Sequence, residues 1–207
     1  MRYVNTFVIS LISLFVLDFF QVDNVFIVGT VLALIVVGVM LPLLYTVLLE
    51  TNIDKIEKFL LKNKRNPNFY IIYAMANRLD EDVRDVTEKL LKKYKSPSRQ
   101  AMYKIGEALY FKDIPVIRSQ VEQIKNPSYQ SYYQAIILLE DGNINGANNV
   151  IEKISSKWMK YALLAEREKK LNNLLDAKGY AEKAILHSKG LQRYLLHKTY
   201  EIELRNH

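Results

Sequence analysis

The sequence predicts an all-α protein: an N-terminal transmembrane helical hairpin followed by an α-solenoid of about four helix-turn-helix units with capping helices. Three observations carry this. The first fifty residues hold two long apolar runs and almost no charge. Beyond them a pattern recurs at a constant offset, with Pro67, Pro97 and Pro127 opening three units and Lys157 in the fourth place. Within each unit the apolar residues fall at helical rather than strand spacing.

The two apolar runs come first. Val4 to Phe20 is almost continuously apolar, and Val25 to Leu49 is wholly uncharged. A hydrocarbon core of about 30 Å takes about 20 helical residues, so the second run is long enough to cross with some tilt and the first is at the short end. Only Gln21 to Asn24 lies between them, which predicts a tight antiparallel anchor over residues 1–50, with spans at about 4–20 and 25–49. A cleaved signal peptide is the competing reading of the first run. Its basic region would be Arg2 alone, no small-residue cleavage site follows, and a second span begins at once, so the retained hairpin is favoured. Asp18 and Pro42 are the two irregular residues of the spans. Asp18 lies within a turn of the outer loop and can reach headgroup water, while Pro42 removes a helix hydrogen bond.

Charge sets the orientation. Of the 29 basic residues only Arg2 precedes Lys55, and Lys55, Lys58, Lys62, Lys64 and Arg65 follow the second span closely. The loop between the spans has none. The excess of cations places both termini, and the region after residue 50, in the cytoplasm of a multi-pass membrane protein. The frequent Lys, Asn, Ile and Tyr are compatible with an AT-rich bacterial source, hence a bacterial cell membrane.

Residues 51–66, TNIDKIEKFLLKNKRN, place Ile53, Ile56, Phe59 and Leu60 on one helical face with lysines around it. Two readings stand: an amphipathic helix on the membrane surface, or a capping helix that buries its apolar face against the first unit. The second is preferred, because a stack of units cannot leave its first apolar face bare.

Four units follow, 67–96, 97–126, 127–156 and 157–186. First-helix columns read Ile72, Met102, Tyr132, Ala162; then Met75, Ile105, Ala135, Ala165; then Leu79, Leu109, Leu139, broken at Lys169. Asp113, Asn143 and Asn173 stand where the second helix needs an N-cap. Thr87, Ile117, Ala147 and Ala177 lead the second-helix stripe. Residues 187–207 sketch one further helix with Leu191, Leu195 and Ile202 on its apolar side, a C-terminal cap.

The segments LLEDGNINGANNVIEKI and LNNLLDAKGYAEKAI, each with a small residue before a Glu-Lys pair late in the second helix, resemble the tetratricopeptide (TPR) repeat. The resemblance implies a concave groove lined by the first helices, which holds a partner peptide. Carried over by position, the partner-binding residues are Gln100, Lys104, Gln130, Gln134, Lys160 and Arg167, opposite the core stripe, with the flanking column Tyr73, Tyr103 and Tyr133. For the tyrosines, packing between units is the alternative.

No catalytic chemistry is legible. The chain has no cysteine, so no disulfide framework or cysteine nucleophile is possible. His187, His197 and His207 are ten apart, about 80° out of register on a helix, and make no i, i+4 metal pair. No zincin, P-loop, dinucleotide or nucleophile-elbow motif occurs. No enzyme activity, cofactor, metal or small-molecule substrate is therefore expected. The net charge of +7 is interspersed with acids rather than gathered in a stripe, so no nucleic-acid partner is expected either. The expected function is a membrane-tethered adaptor or scaffold that binds protein partners, themselves membrane-associated. The second reading is an accessory subunit of a larger membrane complex, such as a transporter or secretion machine, held through the hairpin.

Overall fold

The computed structural model describes residues 25–204. Among the described residues it contains eleven α-helices, one 3-10 turn and no strand. The chain divides into two compact units, Met1–Glu50 and Thr51–His207.

In the first unit, α1 runs Val25–Leu48. Its 24 residues span about 36 Å at roughly 1.5 Å per residue. Mean hydropathy reaches 2.8 over its most apolar stretch, none of which is buried inside the protein. Pro42 sits inside the helix, which continues past it to Leu48. Thr30 and Thr46 fold their hydroxyls back onto the carbonyls of Phe26 and Pro42, at 2.7 and 3.0 Å. That satisfies both hydroxyls internally, as an apolar solvent demands. The helix ends where the amides of Leu49 and Glu50 converge on the Tyr45 carbonyl.

This corrects the expected anchor. Among the described residues α1 alone is long and apolar enough to cross a membrane, so a two-span hairpin is not supported. The multi-pass topology with both termini cytoplasmic, which was built on that hairpin, falls with it. The expected first span, Val4 to Phe20, lies outside the described residues, as do Asp18 and the Gln21 to Asn24 loop.

The second unit begins with α2, Ile53–Lys62, capped by Asn52, whose side chain accepts from the Lys55 amide at 3.0 Å. Ile56, Phe59 and Leu60 are buried, and the Phe59 ring meets Phe69 edge-on at 5.1 Å. Its apolar face therefore covers protein. Four helix pairs follow: α3 Pro67–Ala76 with α4 Asp80–Lys93, and α5 Pro97–Phe111 with α6 Ile114–Gln120 and its 3-10 extension Val121–Gln123. The third and fourth are α7 Pro127–Glu140 with α8 Ile144–Lys153, and α9 Lys157–Lys170 with α10 Leu174–His187.

Proline opens α3, α5 and α7 because the first helical position needs no amide donor and a proline φ suits it. Each first helix closes in the same way. The amides of Leu79, Asp113, Asn143 and Asn173 bond back five residues to Ala74, Leu138's equivalents Ala108 and Glu168, and Leu138 itself, at 2.7–3.0 Å. Just before each stands a left-handed residue: Arg78, Lys112, Gly142 and Asn172, with φ of 56°, 59°, 71° and 60°. This is the Schellman ending. The last three recur at the expected offset, but the first turn comes four residues early. Leu79 is therefore not the equivalent of Leu109 and Leu139. It lies in the turn and is 36 % exposed, because α3 stops at Ala76 while α4 is correspondingly long.

The columns led by Ile105, Ile117, Val121 and Ile124 coincide from the second pair on, whereas Met75, Leu91 and Tyr94 of the first pair are only half-buried. Ile105, Ala135 and Ala165 are fully buried, and so are Ile117, Ala147 and Ala177, with Thr87 at 1 %. Small residues late in the series let α9 and α10 pack closely. The packing is repeat-like, but the array is not an open stack. The last helix, α11 (Gly190–Leu204), packs against α10 and returns to α2 and α3. Tyr194, wholly buried, donates to Glu57 at 3.1 Å and accepts from the Asn77 amide at 3.0 Å. Arg193 ties the backbone carbonyls of Thr51 and Ile185 at 3.0 and 2.6 Å. The buried residues of α11 include Tyr194, Leu196 and Tyr200, whereas Ile202 is 41 % exposed. A helix packed on more than one side does not show a single apolar stripe. Among the described residues, one apolar helix and a helix array whose ends meet stand in place of the expected hairpin and solenoid.

Candidate functional site

Closure by α11 leaves a cavity of about 650 Å³ between the first helices of the pairs and α11 itself. That is within the range of pockets that enclose small ligands. Its apolar wall comes from Met75, Leu109, Ile114, Ile136, Leu139, Leu195 and Leu196, with Gly106 opening space on α5.

An aromatic cluster forms one side. Tyr132 meets Tyr133 edge-on at 5.4 Å and the Trp158 ring at 5.8 Å, and Tyr129 stacks on Tyr133 at 6.3 Å. Tyr200 reaches the same cavity from α11. Burial raises the pKa of all four phenols above the usual tyrosine value, so they stay neutral and keep their protons. Tyr133 and Tyr200 are only 7 % and 6 % exposed. No hydrogen bond joins the four hydroxyls to another described residue, and none of the four oxygens is a fully enclosed unpaired atom, so they face accessible space.

The rest of the lining is ionic. Lys169 stands between Glu166 and Glu203, at 2.7 Å from each, and Arg78 lies 3.6 Å from the other Glu203 oxygen. Lys170 pairs with Glu140 at 2.6 Å. Burial pulls the Lys169 pKa down, but the two carboxylates outweigh it and hold the ammonium charged. Burial dominates at Glu166 and raises its carboxyl above the ordinary range in spite of Lys169. A third of the Glu166 side chain is accessible, and it lines the cavity. Every carboxylate of the lining thus has a cation, while Lys112, exposed, forms no pair among the described residues.

The residues expected to hold a partner divide. Gln100 donates its side-chain amide to the carbonyls of Leu91 and Tyr94, at 3.1 and 2.9 Å, and so ties down the end of α4. Tyr103 stacks on Tyr94 at 5.9 Å and donates to Asn68 at 2.9 Å. Tyr73 stacks on Tyr70 at 6.1 Å. Arg167 bridges Glu168 and Asn148, at 2.5 and 2.8 Å, and so joins α9 to α8. Gln130 reaches Glu122 at 3.4 Å. Lys104, Gln134 and Lys160 are half-buried and make no hydrogen bond or ion pair among the described residues. Of the nine, only Tyr133 lines the cavity.

Sequence reasoning did not single out Tyr129, Trp158, Glu166 or Tyr200, and it read Tyr132 as core. The usable signal was a density of aromatic residues in the α7 segment, PSYQSYYQ. The partner of that cluster comes from α11, and no local pattern announces that return. Among the described residues no group of histidines and carboxylates is arranged to hold a metal ion.

No protein-family model matches the chain, and no curated protein or solved structure is significantly similar to it. The resemblance to the tetratricopeptide family is corrected accordingly: no such family model recognises the repeats, and the joined ends remove the open groove it implied. Among the described residues the protein is all-helical, with one N-terminal apolar helix and a packed helix array.

Proposed function

We propose that this protein is a membrane-attached adaptor, with α1 in the bilayer and the helix array of the second unit presenting a surface to a partner protein. The observation that carries it is α1: 24 uncharged residues with none of their most apolar stretch buried in protein. An exposed apolar surface of that length needs another solvent or a partner. On the array, the half-buried Lys104, Gln134 and Lys160 have no intramolecular polar partner among the described residues, which leaves them free to meet one.

The test has two arms. The full chain should remain with membranes through alkaline extraction, whereas a Val36→Arg, Val37→Arg variant should be released. A photo-crosslinking residue at Lys104 or Gln134 should then capture one defined protein that the same probe at exposed Leu175 does not. Extraction of the unaltered chain, or equal capture from Leu175, would refute the reading.

A further inference from the structure

We propose that the cavity inside the helix array binds a single acyl chain ending in an anionic head. The inference goes beyond recruitment of a partner protein and holds whether or not one docks outside.

The cavity's volume of about 650 Å³ and its Leu, Ile and aromatic walls suit a flexible apolar body. Tyr133 and Tyr200 are more than nine-tenths buried, line that space, and leave their hydroxyls without a partner among the described residues. Neither oxygen is among the fully enclosed unpaired atoms of the fold, so both hydroxyls face the accessible space of the cavity, where a ligand can reach them. Because burial keeps these phenols neutral, they have protons to donate, and a ligand rich in acceptors suits them.

Charge selects the head. Glu140, Glu166 and Glu203 are neutralised by Lys170, Lys169 and Arg78, which leaves exposed Lys112 as a cation over the lining. A polypeptide segment would bring one amide donor per residue and find few free acceptors here. A carboxylate or phosphate on an acyl chain brings acceptors alone.

Trp158 is the only tryptophan of the chain and lines the cavity, so its emission reports occupancy directly. The full chain in lipid nanodiscs is titrated with dodecanoate and, in a parallel arm, with a lysophospholipid of the same chain length. The expected result is a saturable change in Trp158 emission with at least one of them, and their relative affinities separate a free acid from a membrane-derived lipid. Dodecyltrimethylammonium should not compete. The Tyr133→Phe, Tyr200→Phe double variant keeps both rings and should bind at least five-fold more weakly. Lys112→Glu, on the surface, should weaken binding without touching the interior. No saturable change, equal affinity in both variants, or displacement by the cationic amphiphile would each overturn the proposal. So would saturation by an apolar decapeptide that dodecanoate cannot displace.

Discussion

The side-chain amide of Asn77 donates to the Tyr194 hydroxyl at 3.0 Å across 117 residues of sequence. That hydroxyl in turn donates to Glu57 at 3.1 Å, so three helices meet at one oxygen. The Tyr194 side chain is wholly buried, and burial is the main reason its phenol stays protonated far above neutral pH. The contact pins α11 to α2 and α3 and thereby shapes the cavity.

Tyr194→Phe keeps the ring and removes only this junction. Asn77 and Glu57 would lose a partner in a half-buried place, which costs about 1–3 kcal/mol for an unsatisfied group. The full chain should melt at a lower temperature with the helical signal of the folded state unchanged. An unaltered melting temperature would mean that α11 is held by apolar packing alone.

The repeated turn gives a second prediction. Lys112 occupies the left-handed position at φ 59°, where its equivalent in the next pair is Gly142 at φ 71°. The left-handed conformation costs a residue with a Cβ roughly 1–2 kcal/mol. Lys112→Gly should therefore stabilise the array, less the entropy glycine adds to the unfolded chain. Gly142→Ala should destabilise it by about 1 kcal/mol, although a Cβ there meets open space. Denaturant midpoints at constant slope measure both. Opposite signs for the two variants are expected, and a shared sign would show that φ is not what governs these turns.

How much of this was legible follows from the same turns. Helix starts at Pro67, Pro97 and Pro127 and the buried column of Ile117, Ala147 and Ala177 are local matters of capping and 3.6-residue spacing, and both stand in the structure. Leu79 was misplaced because a fixed offset was carried through a unit whose turn falls early, at Arg78. The cavity was invisible for another reason. Tyr132 and Tyr200 approach it from helices far apart in the chain, and α11 carries no periodic signal of two-sided packing. Gln100 and Arg167 looked like free polar groups on a first helix. Their actual partners, the α4 carbonyls and Asn148, belong to neighbouring pairs whose spacing only the packed array defines.

Thr87 occupies the position held by Ile117, Ala147 and Ala177 in the other pairs. It is 1 % exposed, and its hydroxyl oxygen has no hydrogen-bond partner among the described residues. A stranded hydroxyl costs about 1–3 kcal/mol relative to an apolar group of the same shape. Thr87→Val supplies that shape and should stabilise the protein by about 1 kcal/mol. Thr87→Ser keeps the hydroxyl and removes a methyl, so it should destabilise. Chemical denaturation of the two variants decides it, and a Val variant weaker than wild type would place an unseen partner on the hydroxyl.

The ion cluster beside the cavity sets the last prediction. Burial raises the Glu166 carboxyl above its ordinary value of 4.5, against the pull of Lys169. A carboxyl whose pKa is raised by folding binds its proton more tightly in the folded state. The stability this contributes is complete below the unfolded pKa and is lost as pH rises through the folded one. At neutral pH Glu166 therefore carries a charge that the fold disfavours. Glu166→Gln holds the neutral form at every pH and lacks that loss. The melting temperature of the variant relative to wild type should accordingly be higher at pH 7 than at pH 4. The effect is modest, because a third of the side chain is accessible and screened. Lys169 does not confound the comparison, since it stays charged through this range and keeps Glu203 at 2.7 Å. Thermal melts of both proteins at fixed ionic strength measure the difference. A relative melting temperature that falls between pH 4 and pH 7 would show that attraction to Lys169 outweighs burial at this carboxylate.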